Sequence, residues 1–121
     1  MIEDDLREIL TNAVGVSVYS RQLPPNLPEC VCVQEVGGVH TNGNIRRAVH
    51  FISILACSRR IEDARQYLNT ARNYLVTHMP LEHNGVHYYL AVAQAEGEIL
   101  IKPPRGPVYI LHVTVEVTRE Q

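Results

Sequence analysis

Apolar and polar positions alternate along this chain with two different periods, and the changes of period divide it into elements. Ile2, Leu6, Ile9, Leu10 and Ala13 recur at helical spacing, with Glu3, Asp4, Asp5 and Glu8 between them, so the spacing predicts a first amphipathic helix that Gly15 ends. Val16, Ser17 and Val18 predict a short strand running into Tyr19. Leu23–Pro28 (LPPNLP) is a stiff connector, because its three prolines fix φ and remove donors. Glu29–Val36 reads as a second strand, Gly37–Asn44 (GGVHTNGN) as a loop or hairpin tip, and Ile45–Ser58 as a third, central strand.

In that third strand Val49, Phe51, Leu55 and Cys57 take one face, and His50, Ile52, Ile54 and Ala56 take the other. Apolar residues on both faces require cover on both faces. Helices supply one cover; another layer or another subunit must supply the second. A second helix spans about Ile61 to His78, with Ile61, Ala64, Leu68, Ala71 and Leu75 as its apolar stripe, Glu62 and Asp63 in its first turn and Pro80 as its stop. Val86–Gln94 is a strand entered by the Asn84-Gly85 turn, and Glu98–Lys102 is another after Gly97. Pro103–Pro107 (PPRGP) is expected to make a rigid, exposed bend. In the closing strand, Val108–Thr118, Tyr109, Leu111, Val113, Val115 and Val117 point one way while Ile110, His112, Thr114, Glu116 and Thr118 point the other. The expected fold is a single α+β domain over residues 1–121. It has a mostly antiparallel sheet, two helices packed on one face and the order α-β-β-β-α-β-β-β.

Composition narrows the function by exclusion. The 121 residues suit one domain with its own core. No apolar run approaches the ~20 residues of a membrane-spanning helix, and the acidic start MIEDDLREIL is unlike a secretory signal. A net charge of −2 argues against charge-driven nucleic-acid binding, and no specific nucleic-acid partner is expected. Of 11 basic residues only Lys102 is a lysine, a bias toward arginine that favours protein contacts. The acids of the first helix fit either a docking face for a basic partner or a solvated helix start matched to the dipole, and the second is preferred.

Three cysteines are present. Cys30 and Cys32 share one strand face with Cα atoms roughly 6.5–7 Å apart, at or beyond disulfide reach. Reduced thiols acting as small core residues are expected, and no second pair is spaced to complete a Cys-x-Cys metal site. His78, His83 and His87 fall close together, but Pro80 separates the first two, so they form no HExxH face. No GxSxG, GxxxxGK[ST] or GxGxxG motif occurs, and Cys57 lies in apolar strand sequence where a thiolate is disfavoured. Neither catalytic, cofactor-binding nor metal residues are assigned.

Several segments carry a family likeness: the opening helix IEDDLREILTNAV and the strand with its broken connector, VSVYSRQLPPNLPECVCV. The arginine-flanked RRAVHFISILACS, the helix IEDARQYLNTARNYLV and the closing AQAEGEILIKPPRGPVYILHVTVEVTRE complete it. Together they resemble the tail-terminator and minor capsid proteins, the tail-completion family of long-tailed bacteriophages. The short, proline-rich bend Pro103–Pro107 departs from that family's pattern. The resemblance implies a structural protein rather than an enzyme. It implies a homo-oligomeric ring, a hexamer, that caps the tail tube and meets the head–tail connector. Its location would be the tail or neck of a virion assembled in the host bacterial cytoplasm, or a prophage-encoded cytoplasmic protein. By analogy, interface roles fall on Gly37, Gly38, His40, Asn42 and Asn44, on Arg46, Arg47, Arg59 and Arg60, and on Arg105. Two rivals remain: a head-completion or neck adaptor protein, and a small metal-binding domain or enzyme using His78, His83 and His87.

Overall fold

The structure, a computed structural model, describes residues 2–40, 47–101 and 107–120. Its elements are α1 (Ile2–Thr11), β1 (Ser17–Ser20), β2 (Cys30–His40), β3 (Arg47–Ser58), α2 (Ile61–His78), β4 (Leu81–His83), β5 (Val86–Ile101) and β6 (Val108–Glu120). The strands form one curled sheet in the order β1-β2-β3-β6-β5-β4, in which β1 and β2 are parallel and every other pair is antiparallel. The expected fold class and element order are those observed.

Both helices begin with acids against the positive end of the dipole: Glu3, Asp4 and Asp5 in α1, Glu62 and Asp63 in α2. After α1, the N–H groups of Ala13 and Val14 both reach the Leu10 carbonyl, and Gly15 then turns the chain at φ 75°, a conformation glycine adopts without strain. At the start of α2 the Ser58 hydroxyl accepts the Arg60 N–H at 3.0 Å and donates to Glu29 at 2.9 Å, which ties the end of β3 to the chain entering β2.

The helices share one sheet face. Ile2, Leu6 and Leu10 of α1 and Ala64, Leu68, Ala71 and Leu75 of α2 close over Val31, Val33, Ile52, Ile54, Ala56, Val113, Val115 and Val117. Ile61, at the head of the predicted stripe, is only half-buried. On the opposite face a small second cluster joins Cys30, Cys57, Val108 and Ile110, with Tyr19, Leu23, Leu27 and Leu55 against it. The proline-rich connector thus covers part of that face. All three cysteines are buried and free. Cys30 lies opposite Cys57 in the β2–β3 register. The Cys57 sulfur and burial push the Cys30 thiol up, and burial pushes Cys32 up to about 11, so neither is a ready thiolate.

Three strand boundaries differ from the sequence reading. The second strand does not stop at Val36: it runs to His40, with a β-bulge between Glu35 and Gly37, so half of the expected loop is ladder. Gly37 and Gly38 pair there with Phe51 and His50 on the neighbouring strand. The runs Val86–Gln94 and Glu98–Lys102 are not two strands but the single strand β5, bulged twice, with Gly97 inside it. Gly97 lies under the His112 ring, and a Cβ there would collide with His112 Nε2, so this glycine marks a close approach rather than a break. The place of the lost strand is taken by β4, which hairpins onto β5 through Asn84 (φ 51°) and Gly85 (φ 79°).

Candidate assembly surface

The β3 strand divides the sheet into a finished face and an unfinished one. Ile52, Ile54 and Ala56 are completely buried beneath the helices. Val49, Phe51, Ser53 and Leu55 point the other way and are only half-buried. Leu55 packs against the cysteine cluster, at the end of the sheet that the connector covers. Toward the β2–β3 hairpin end the cover stops. Register places Leu90 of β5 in one row with Thr118 and Val49, and Val92 in the next with Glu116 and Phe51. Leu90 is 53% exposed and Val92 40%. The bare half-face is therefore striped, apolar on β5 and β3 with polar β6 side chains between, where Glu116 accepts a hydrogen bond from Gln94 at 2.8 Å.

The residues expected at an interface do not form one site. Gly37, Gly38 and His40 lie on β2 and Arg47 opens β3, all at the hairpin end, where the Arg47 guanidinium stacks 4.2 Å from the centre of the Tyr89 ring. Arg59 and Arg60 lie in the exposed β3–α2 turn at the other end. Arg60 approaches Asp63 at 3.9 Å and is otherwise directed to solvent. Eleven residue steps of β3 separate the two groups, about 36 Å of strand. Asn42, Asn44, Arg46 and Arg105 fall outside the described residues.

What the sequence reading missed is the work done by the acids of α1. Each is engaged within the chain rather than left in solvent. Glu3, 7% exposed, accepts the Glu35 N–H at 3.2 Å. It takes over along the edge of β2 where β1 has ended, two residues past Val33, whose carbonyl accepts the Arg21 N–H. Asp4 accepts the Ser20 hydroxyl and a forked pair from Arg21, which hold its carboxyl below the usual range. Asp5 accepts the Tyr88 hydroxyl at 2.7 Å. Glu8 meets His83 Nε2 at 2.7 Å and the Asn84 amide at 3.1 Å, and those hydrogen bonds lower its pKa. The helix is thus bolted to β1 and β2 on one side and to the β4–β5 hairpin on the other. The sequence signal was the number of acids, more than a dipole needs.

The same packing separates the histidines that had been grouped. His78 stacks on Tyr74 at 3.8 Å and bonds the Tyr74 carbonyl, His87 approaches Glu82 at 3.8 Å, and only His83 joins α1. A three-histidine site is not formed. Elsewhere, Arg119 Nε donates to His50 Nε2 at 3.2 Å, so His50 presents its Nδ1 hydrogen to Glu35. This polar string secures the hairpin end of β2, β3 and β6.

No family model matches the chain, and no curated protein matches it. Among solved structures it is similar to a chain described as "Virion of native gene transfer agent (GTA) particle". The TM-score is 0.63 at 14% identity, over 99% of this chain and 95% of that one. At that identity the likeness is one of fold, and it takes in every element from α1 to β6. Among the described residues no helix is long and apolar enough to cross a membrane.

Proposed function

We propose that the chain is a structural protein of a phage-like particle, and specifically a tail terminator. Copies close into a ring, a hexamer by the family resemblance, through repeated head-to-tail contacts. One ring surface seats on the last ring of the tail tube and stops its growth; the other meets the head–tail connector. The half-face around Leu90, Val92, Val49 and Phe51 is the contact that a neighbour completes, with the arginines at the two ends of the sheet facing the other partners. The mechanism is self-limiting assembly, and no bond is made or broken. The full-length fold likeness to a virion chain is the observation that carries this reading, and the striped, uncovered half-face agrees with it.

Negative-stain images of particles lacking the protein test the assignment. Overlong tails are expected. Tails of normal length that fail to join heads would move the protein to the neck. In parallel, a chain that stays monomeric at high concentration and does not bind purified tail tubes would overturn the ring.

A further inference from the structure

Asp5 and Glu8 lie one turn apart on α1, and His83 ends β4 more than seventy residues later. One donor atom from each, two carboxylate oxygens and an imidazole nitrogen, gather within 4.8 Å of one another. We propose that this trio binds a divalent transition-metal ion of the zinc class, which ties α1 to the β4–β5 hairpin.

The donor set is of the mixed nitrogen–oxygen kind that zinc accepts. The spacing needs little rearrangement. A tetrahedral ion holds its donors roughly 3.3 Å apart. Glu8 and His83 stand 2.7 Å apart, so they separate slightly while Asp5 closes in. Glu8 and His83 are partly exposed, which leaves their side chains free to make that adjustment and the site open to solvent. Support comes from behind. Tyr88 is completely buried, and its hydroxyl holds Asp5 Oδ2 at 2.7 Å, leaving Oδ1 toward the cluster. Anchoring a ligand carboxylate by a fixed hydrogen-bond donor is what outer-shell groups do in metal sites. Arg119, on β6, also interacts with the Tyr88 side chain. Asn84, in its left-handed turn, donates its Nδ2 to Asp5 Oδ1 at 3.4 Å and to Glu8 Oε2 at 3.1 Å, and on metal binding it would give way to a water as the fourth ligand.

The site is independent of the ring assignment and stands or falls without it. The test is titration of the full-length chain with Zn²⁺ against a chromogenic chelator, read beside the histidine imidazole resonances. The wild type is expected to take up one equivalent and to shift the His83 resonances while those of His78 and His87 stay in place. Glu8→Gln and His83→Gln should each weaken binding at least ~100-fold, and Tyr88→Phe by about 10-fold. His78→Gln and His87→Gln should bind as the wild type does. The circular dichroism spectrum establishes that each variant is folded. Absence of stoichiometric uptake by the wild type overturns the site. So does uptake that survives Glu8→Gln and His83→Gln, or that His78→Gln or His87→Gln abolishes.

Discussion

The two faces of the sheet are built from the same strands and have different fates. Under α1 and α2, Val31, Ile52, Ile54, Val113 and Val115 are sealed from solvent. On the reverse, the connector and the cysteine cluster seal one end only, and Leu90 and Val92 stay open at the other. The first face is what makes the chain fold. The second is available to a partner, because losing its side chains costs the monomer little.

Substitutions separate the two roles. Leu75→Ala removes a completely buried side chain from the helix-covered face and should destabilise by about 2–5 kcal/mol in urea unfolding. Leu90→Ser should stay within about 0.5 kcal/mol of wild type in the same assay. An equal loss at both positions would erase the distinction between the faces.

Gly97→Ala probes the reverse face at its covered end, in the row of His112 and Leu55. Its Cβ meets the His112 ring, which should cost about 1–3 kcal/mol. Combining it with His112→Ala should recover most of that loss, and a double-mutant cycle measures the recovery. Tyr88→Phe, on the covered side, deprives Asp5 of a hydrogen bond and should cost about 1–2 kcal/mol.

The smallest effect is in pH. Hydrogen bonds from His83 and Asn84 lower the folded pKa of Glu8 below its ordinary 4.5. The contribution is therefore fully present above 4.5 and is lost as pH falls through the lower folded value. Wild type should lose more stability than Glu8→Gln over that acid range, and urea midpoints compared at pH 6 and pH 3 check it.

Much of this architecture was legible in the periodicity. Helix α2 falls on Ile61–His78 as the apolar stripe and Pro80 require, and the facing of β6 follows its strict alternation. The errors cluster at glycines. Gly37, Gly38 and Gly97 were read as loop or break, yet each sits in a ladder beside a bulky residue of the adjacent strand. Register decides that, and register is a property of two strands, invisible in either alone. The α1 acids were unreadable for a related reason. Their partners Arg21, Glu35, His83 and Tyr88 lie 17 to 83 residues away and meet them only when the sheet curls. The half-open face of β3 was anticipated from its two-sided apolar pattern, whereas the cover that the connector gives to one end of it was not.

Native mass spectrometry of the purified chain with tail tubes, comparing wild type with the Leu90→Glu, Val92→Glu double variant, tests assembly through the open face most directly. The account predicts a closed ring for the wild type and a folded monomer for the variant. A ring that forms unchanged with two carboxylates on that surface would contradict it.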